Sequence, residues 1–197
     1  STLCKYLLLP YLKEFIRQNP HISISISCQS TNDTLKLLED NKIDIGLIGK
    51  PENLKNIHFD FLEEIEDIFV AAKDYLRNLK ARGIQKDYIL QSSTLMLLDK
   101  NNMTRQYIDD YLQENQIIIK DSIDISDMDL LIDFARIGVG VACVIKNFVR
   151  EDLENGTLME IPLGFPIHKR EVGFAYKTTT KPSKSLAEFI HFYKTYR

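Results

Sequence analysis

The residues from which proton transfer or metal binding could be built are four histidines, His21, His58, His168 and His191, and the acidic pairs Glu63-Glu64, Glu66-Asp67 and Asp109-Asp110. The histidines lie far apart and lack the His-Glu-x-x-His spacing that sets two imidazoles on one helix face. Each reads as a surface or packed histidine, and no metal is predicted. The acidic pairs stand beside no nucleophile, so a solvated face explains them better than general acid and base work. No Gly-x-Ser-x-Gly string exposes a serine, and no phosphate-binding loop occurs. Gly138-x-Gly140 is a fragment of a dinucleotide fingerprint. It ends a helix and opens a strand, the reverse of what that chemistry requires, so a tight turn is the better reading. No catalytic residue and no cofactor follow from these residues, which disfavours an enzyme.

Polar groups suited to binding are better placed. Ser30-Thr31-Asn32-Asp33 and Ser126-Asp127-Met128-Asp129 each put a capping side chain three residues before an acid, the spacing of a capping box at a helix start. The elements that would position them follow from periodicity. After Pro10 the apolar Tyr11, Leu12, Phe15 and Ile16 form one helix face, and Asn19-Pro20 ends that helix. Beyond it Ile22, Ile24 and Ile26 alternate with Ser23, Ser25 and Ser27, the pattern of a half-buried strand. A short helix carrying Leu35, Leu37 and Leu38 ends at Asn41, and Ile43 to Ile48 reads as the next strand. Further strands are expected at Phe59 to Leu62, Ile65 to Ala72, Thr94 to Leu98, Ile117 to Ile125, Gly138 to Val144, Leu158 to Leu163 and Glu171 to Lys177. Helices are expected at Thr104 to Glu114, from Met128 to Ile137, and around Leu186, Phe189, Ile190 and Tyr193. Helix and strand alternating through short connections is the layout of α/β lobes.

Composition narrows the function. The chain has 197 residues, 44% of them hydrophobic, enough for one or two cores, and a net charge of −3 gives no footprint for nucleic acid. The chain as given is not expected to hold DNA alone. Cys4, Cys28 and Cys143 are odd in number and set among apolar neighbours, which suits buried, reduced thiols and a cytoplasmic location. No membrane-spanning run or signal peptide is read. The chain opens at Ser1-Thr2 directly before a helical pattern, as though cut from something longer.

Four passages in order carry a family resemblance: Leu7-Leu8-Leu9-Pro10 through Pro20-His21-Ile22; Leu37-Leu38-Glu39-Asp40-Asn41-Lys42-Ile43-Asp44-Ile45-Gly46; Gly138-Val139-Gly140-Val141-Ala142; and Leu153-Glu154-Asn155-Gly156-Thr157-Leu158. Over essentially its whole length the chain resembles the effector-binding, or regulatory, domain of LysR-type transcriptional regulators. The resemblance implies an α/β fold of two Rossmann-like lobes of the type II periplasmic-binding-protein kind with an interlobe cleft. We expect residues 1–71 and 175–197 in one subdomain and 72–174 in the other. It also implies an N-terminal winged helix-turn-helix, absent from this chain, through which alone DNA would be bound. A homodimer would pair the helix at Leu7 to Arg17 and the strand at Ile22 to Ser27 with the region from Met128 to Val144 of a second copy, and the full-length protein would be a dimer or tetramer. The sequence departs from the family where Asn41 replaces a frequent glycine and where Val144-Ile145-Lys146 replaces a common Leu-Pro.

Such lobes hold their ligand at the carboxyl ends of parallel strands, where helix N-termini point. The expected effector residues are therefore Ser1, Thr2, Ser30, Thr31 and Gly49 in the first lobe, and Asn101, Asn102, Thr104, Ser126 and Asp127 in the second. Free amides and the positive dipole end favour a small carboxylate effector. Capping alone, worth about 1 kcal/mol, would also account for Ser30, Thr31, Ser126 and Asp127. Arg105 is either an aid to anion binding or a salt-bridge residue. Allosteric change of subunit arrangement would follow binding. The alternative is a secreted solute-binding protein of a transporter.

Overall fold

The computed structural model describes residues 3–100 and 102–196. Along the chain, a π-turn at Cys4–Leu8 leads into α1 (Leu9–Gln18), followed by α2 (Thr31–Glu39), β1 (Gly46–Gly49), β2 (Ile57–Ile65), β3 (Asp67–Ala72) and α3 (Lys73–Ala81). Then come α4 (Ile89–Ser92), β4 (Thr94–Leu98), α5 (Met103–Glu114), β5 (Asp121–Ile125) and α6 (Met128–Arg136). The chain closes with β6 (Val141–Ile145), α7 (Arg150–Asn155), β7 (Leu158–Glu160), β8 (Arg170–Lys177) and α8 (Lys184–Thr195). It divides into two compact units, one of residues up to Glu64 and from Arg170 onward, the other from Ile65 to Lys169.

The second unit is built on a mixed sheet of order β5-β4-β6-β3-β7. Its strands β5, β4 and β6 are parallel, with Leu95 opposite both Ser122 and Val141, while β3 runs antiparallel to β6 and β7. Strands β3, β4 and β6 are continuous apolar runs because both faces of this sheet are covered; Phe69, Leu95, Val141 and Ile108 are essentially excluded from solvent. Helix α5 supplies Ile108, Tyr111 and Leu112 to that core, as its 3.6-residue spacing requires. A bidentate pair of Arg136 with Asp152, at 2.9 and 2.8 Å, ties the end of α6 to α7.

Gly138 and Gly140 have separate tasks. Gly138, at φ +81°, is the left-handed residue that closes α6, with Gly138 N–H donating to Ala135 O and Val139 N–H to Phe134 O. Gly140 lies where a Cβ would stand 2.3 Å from the Thr94 carbonyl oxygen, so β6 can enter beside β4 only without a side chain there. The tight helix-to-strand turn read from sequence is what these glycines form.

The first unit holds a three-stranded sheet of order β1-β8-β2, with β1 antiparallel to β8. An aromatic cluster of Phe15, Phe174, Phe189, Phe192 and Tyr193 locks α1 and α8 onto β8, with edge-on contacts such as Phe15–Phe189 at 5.0 Å. Helix α2 begins at Ser30, whose Oγ accepts from Asp33 N–H, and ends in a left-handed Asn41, φ 52°.

Several expectations are corrected. Residues 22–27 join no strand: Ile24 and Ile26 are exposed, and a cavity of about 490 Å³ lies between this extended segment and residues 42–47. The alternation describes a face suited to a sheet, yet pairing depends on a neighbour at a distance in sequence, and none is hydrogen-bonded to it here. The β1–β8 pair that this sheet does contain is antiparallel. The strand expected from Ile43 begins only at Gly46, that from Ile117 only at Asp121, and that from Leu158 stops at Glu160, because isolated apolar residues do not carry pairing with them. Helix α3 was unforeseen; its polar Lys73-Asp74 start masks the apolar positions Leu76 and Leu79. Of the cysteines only Cys143 is buried; Cys28 is exposed because its segment lies outside the sheet.

Candidate functional site

Strands β5, β4 and β6 end side by side at Ile125, Leu98 and Ile145, and the chain beyond each shapes one edge of the second unit. After β4 the Asp99 N–H donates to Ile125 O and Asn102 N–H to Asp99 O, folding the connection back so that α5 starts at this edge. Asn102 is its N-cap, with Oδ1 accepting from Thr104 N–H at 2.8 Å. After β5 the cap is Asp127, not Ser126, and its Oδ1 accepts from Asp129 and Leu130 N–H at 2.9 and 3.1 Å. Aspartate wins because its carboxylate reaches two free amides at once, and its charge complements the helix dipole. Ser126 is the exposed residue just before it. The structure therefore brings Asn102, Thr104, Ser126 and Asp127 to one edge.

Arg105 is settled as a buried salt-bridge residue rather than a free anion ligand. Only 6% exposed, it donates to Leu98 O at 2.8 Å, Asp124 Oδ1 at 2.6 Å and Asp109 Oδ1 at 2.8 Å. Burial works against its charge, and the hydrogen bonds to Asp124 and Asp109 outweigh that, holding the guanidinium above its ordinary pKa. It fastens the first turn of α5 to the ends of β4 and β5, and so positions Asn102 and Thr104.

A cation at the same edge was missed from the sequence. Lys146 opens the 3-10 turn at Lys146–Val149 directly after β6, with Nζ 3.1 Å from Glu160 and 3.7 Å from Glu66. The hydrogen bond to Glu160 pushes its pKa up, against a smaller opposing effect of burial. The signal was present in the position immediately following an apolar strand; what hid it was that β6 and β4 are sheet neighbours only in three dimensions.

In the first unit, Ser30 and Thr31 stand at the start of α2, half-buried. Ser30 is engaged twice, accepting from Asp33 N–H at 3.2 Å and donating to the Asp33 carboxylate at 2.7 Å. Gly49 ends β1, and the next residue, Lys50, donates its N–H to Glu171 O and forms an ion pair with the Glu171 carboxylate. Ser1, Thr2 and Asn101 lie outside the described residues. Among the described residues, no group of three or more histidine, cysteine, aspartate or glutamate side chains is gathered as metal ligands, and no helix is long and apolar enough to cross a membrane. The edge of the second unit thus carries amide and hydroxyl groups together with the Asp127 carboxylate and the Lys146 ammonium.

The family model of the LysR substrate binding domain matches residues 1–197. The chain belongs to that family. As a LysR substrate binding domain, it is 22% identical over 193 residues to the HTH-type transcriptional regulator YeiE of Escherichia coli K12, covering 98% of this chain and 64% of that protein. The chain thus spans somewhat less than two thirds of the length of that relative. The effector binding domain of QuiR in complex with shikimate superposes with a TM-score of 0.75 at 17% identity, over 98% of this chain and 90% of that one. The Synechocystis PCC6803 CcmR regulatory domain in complex with 2-PG gives 0.79 at 15% identity, over 96% and 90%. These likenesses establish the fold: α/β, of the two-lobed type II periplasmic-binding-protein kind that LysR regulatory domains share, as expected from the sequence.

Proposed function

We propose that this LysR substrate binding domain is the sensor of a transcriptional regulator, and that it binds a small carboxylate. The observation that carries the reading is the edge of the second unit, where two adjacent parallel strands deliver the N-termini of α5 and α6, with Asn102, Thr104, Ser126 and Asp127 around them. Dipole ends and hydrogen-bond donors grouped this way suit an oxyanion. Ser1, Thr2, Ser30, Thr31, Gly49 and Asn101 complete the proposed effector set. The shikimate carried by QuiR, itself a carboxylate, supports the same class. Asp127 and Asp99 add negative charge near this edge, which favours a singly charged effector over a multiply charged one.

No bond is made or broken in this function. The effector shifts the domain toward the state it binds more tightly, and that differential affinity alters subunit arrangement in the full-length regulator. A helix-turn-helix outside this chain would contact DNA, and the regulator would act in the cytoplasm. A secreted solute-binding protein shares the fold, but the match to a regulator family along the whole chain weighs against it.

Titration calorimetry against small carboxylates, amines and uncharged aromatics tests the proposal. Carboxylates alone should bind, and Asn102→Ala should weaken that binding about tenfold, roughly 1.4 kcal/mol. Binding confined to amines or uncharged aromatics would sink it.

A further inference from the structure

The first unit carries a pair of sulfurs that the effector site does not use. Cys4 begins the π-turn leading into α1, and Cys28 ends the extended segment that pairs with no strand. The residues are 24 apart in sequence, yet both line the same cavity, and Cys28 is near enough to raise the pKa of Cys4. Cys28 is exposed and Cys4 partly so, whereas Cys143 is sealed in β6 at 5% exposure. We propose that Cys4 and Cys28 are a reversible redox pair which a hydroperoxide converts to an intramolecular disulfide, fastening the extended segment to the start of α1.

The exposed Cys28 sulfur attacks the peroxide oxygen, giving a sulfenic acid and releasing an alcohol, or water when the oxidant is hydrogen peroxide. The Cys4 sulfur then attacks the sulfenic sulfur, forming the S–S bond and releasing water. The two sulfurs together lose two electrons and the peroxide gains them. Burial and the neighbouring Cys28 both raise the Cys4 thiol's pKa, which suits it to the second, proximity-driven step rather than the first. The segment can respond because residues 23–27 belong to no sheet, so nothing in a ladder must break when its end is drawn in. Ser30, which caps α2, stands two residues beyond Cys28 and shares the restraint.

The whole chain treated with hydrogen peroxide, alkylated and digested without reductant should yield a peptide joining Cys4 to Cys28. Dithiothreitol should abolish that peptide, and Cys143 should be alkylated only after unfolding. Hydrogen exchange across residues 22–28 should slow several-fold on oxidation in the unaltered chain and stay unchanged in Cys4→Ser and in Cys28→Ser. Peroxide-treated protein in which both thiols remain alkylatable, or in which Cys28 proceeds to sulfinic acid without linking, would overturn the pair. A disulfide formed only between copies would do the same, and unaltered exchange in the linked chain would refute the fastening.

Discussion

At the scale of residues, the polar groups most committed to structure are those whose partners come from other elements. Asp60 on β2 accepts from Tyr193 Oη at 2.6 Å, is 3.0 Å from Lys194 Nζ and 2.9 Å from His58 Nε2. Burial raises its pKa, but the bonds from Tyr193, Lys194 and His58 outweigh this and hold the carboxyl below its ordinary value. Tyr193, buried and facing that carboxylate, is pushed well above the usual phenol range, and burial raises Tyr176 on β8 as well. A carboxyl depressed in the folded state stabilises fully above its unfolded pKa of about 3.9, and the contribution is lost as pH falls through the folded value. Hydrogen bonds to a charged group are worth about 1.5–3 kcal/mol. Asp60→Asn should therefore lower stability by an amount of that order at pH 7, with the gap to the unaltered chain narrowing as pH falls below the unfolded value of about 3.9. Denaturant melts at neutral and at acid pH check it; a constant gap would show that the charge is not the cause. Nothing in the spacing of His58, Asp60 and Tyr193 announces this cluster. In the same way, Arg105 was legible as a choice between two uses and was decided only by the carbonyl and carboxylates it meets.

At the scale of elements, local signals were read well and pairing was not. The Ser30 capping box, the left-handed Asn41, the Gly138 turn and the span of β4 all follow from neighbours within a few residues. Four helices end in the same double hydrogen bond around a left-handed residue. Lys42 N–H donates to Leu37 O after α2, Ile84 N–H to Leu79 O after α3, Ile117 N–H to Leu112 O after α5, and Val139 N–H to Phe134 O after α6. Glycine or asparagine occupies this position in three of them, whereas α5 has Gln116 at φ 54°. A residue with a Cβ costs about 1–2 kcal/mol in this conformation. Gln116 is exposed, so Gln116→Gly should stabilise the chain by roughly 1 kcal/mol, seen as a higher denaturant midpoint with an unchanged slope. No gain would mean that the glutamine makes good the strain by other contacts. The extended segment at Ile22 to Ser27 shows the opposite limit. Its alternation states which side chains would share a face, but a sheet needs a partner strand, and that is a property of the tertiary structure.

At the scale of the molecule, apolar exposure suggests where copies meet. Leu9 and Ile16 on α1 are 50% and 48% exposed, and Leu130 and Ile137 on and after α6 are 44% and 74% exposed. We propose that these faces pair in an antiparallel homodimer, α1 of one copy on the α6 region of the other. Sedimentation should report a dimer, and Leu130→Glu should shift it to monomer while leaving the melting cooperative; a monomer at high concentration in the unaltered chain would end the proposal. The sequence by itself determined the ends of α2, α5 and α6, the apolar run of β4, the absence of a recognisable catalytic motif and, through four passages in order, the family. Those depend on contacts of a few residues' range or on patterns carried whole by the chain. The tertiary structure alone decided that β5, β4 and β6 end at one edge with Lys146 among them, that Arg105 is spent on positioning α5, and that Cys4 and Cys28 line one cavity. Each of these joins groups far apart in sequence, and the chain's order of residues does not record which distant groups folding will bring within hydrogen-bonding distance.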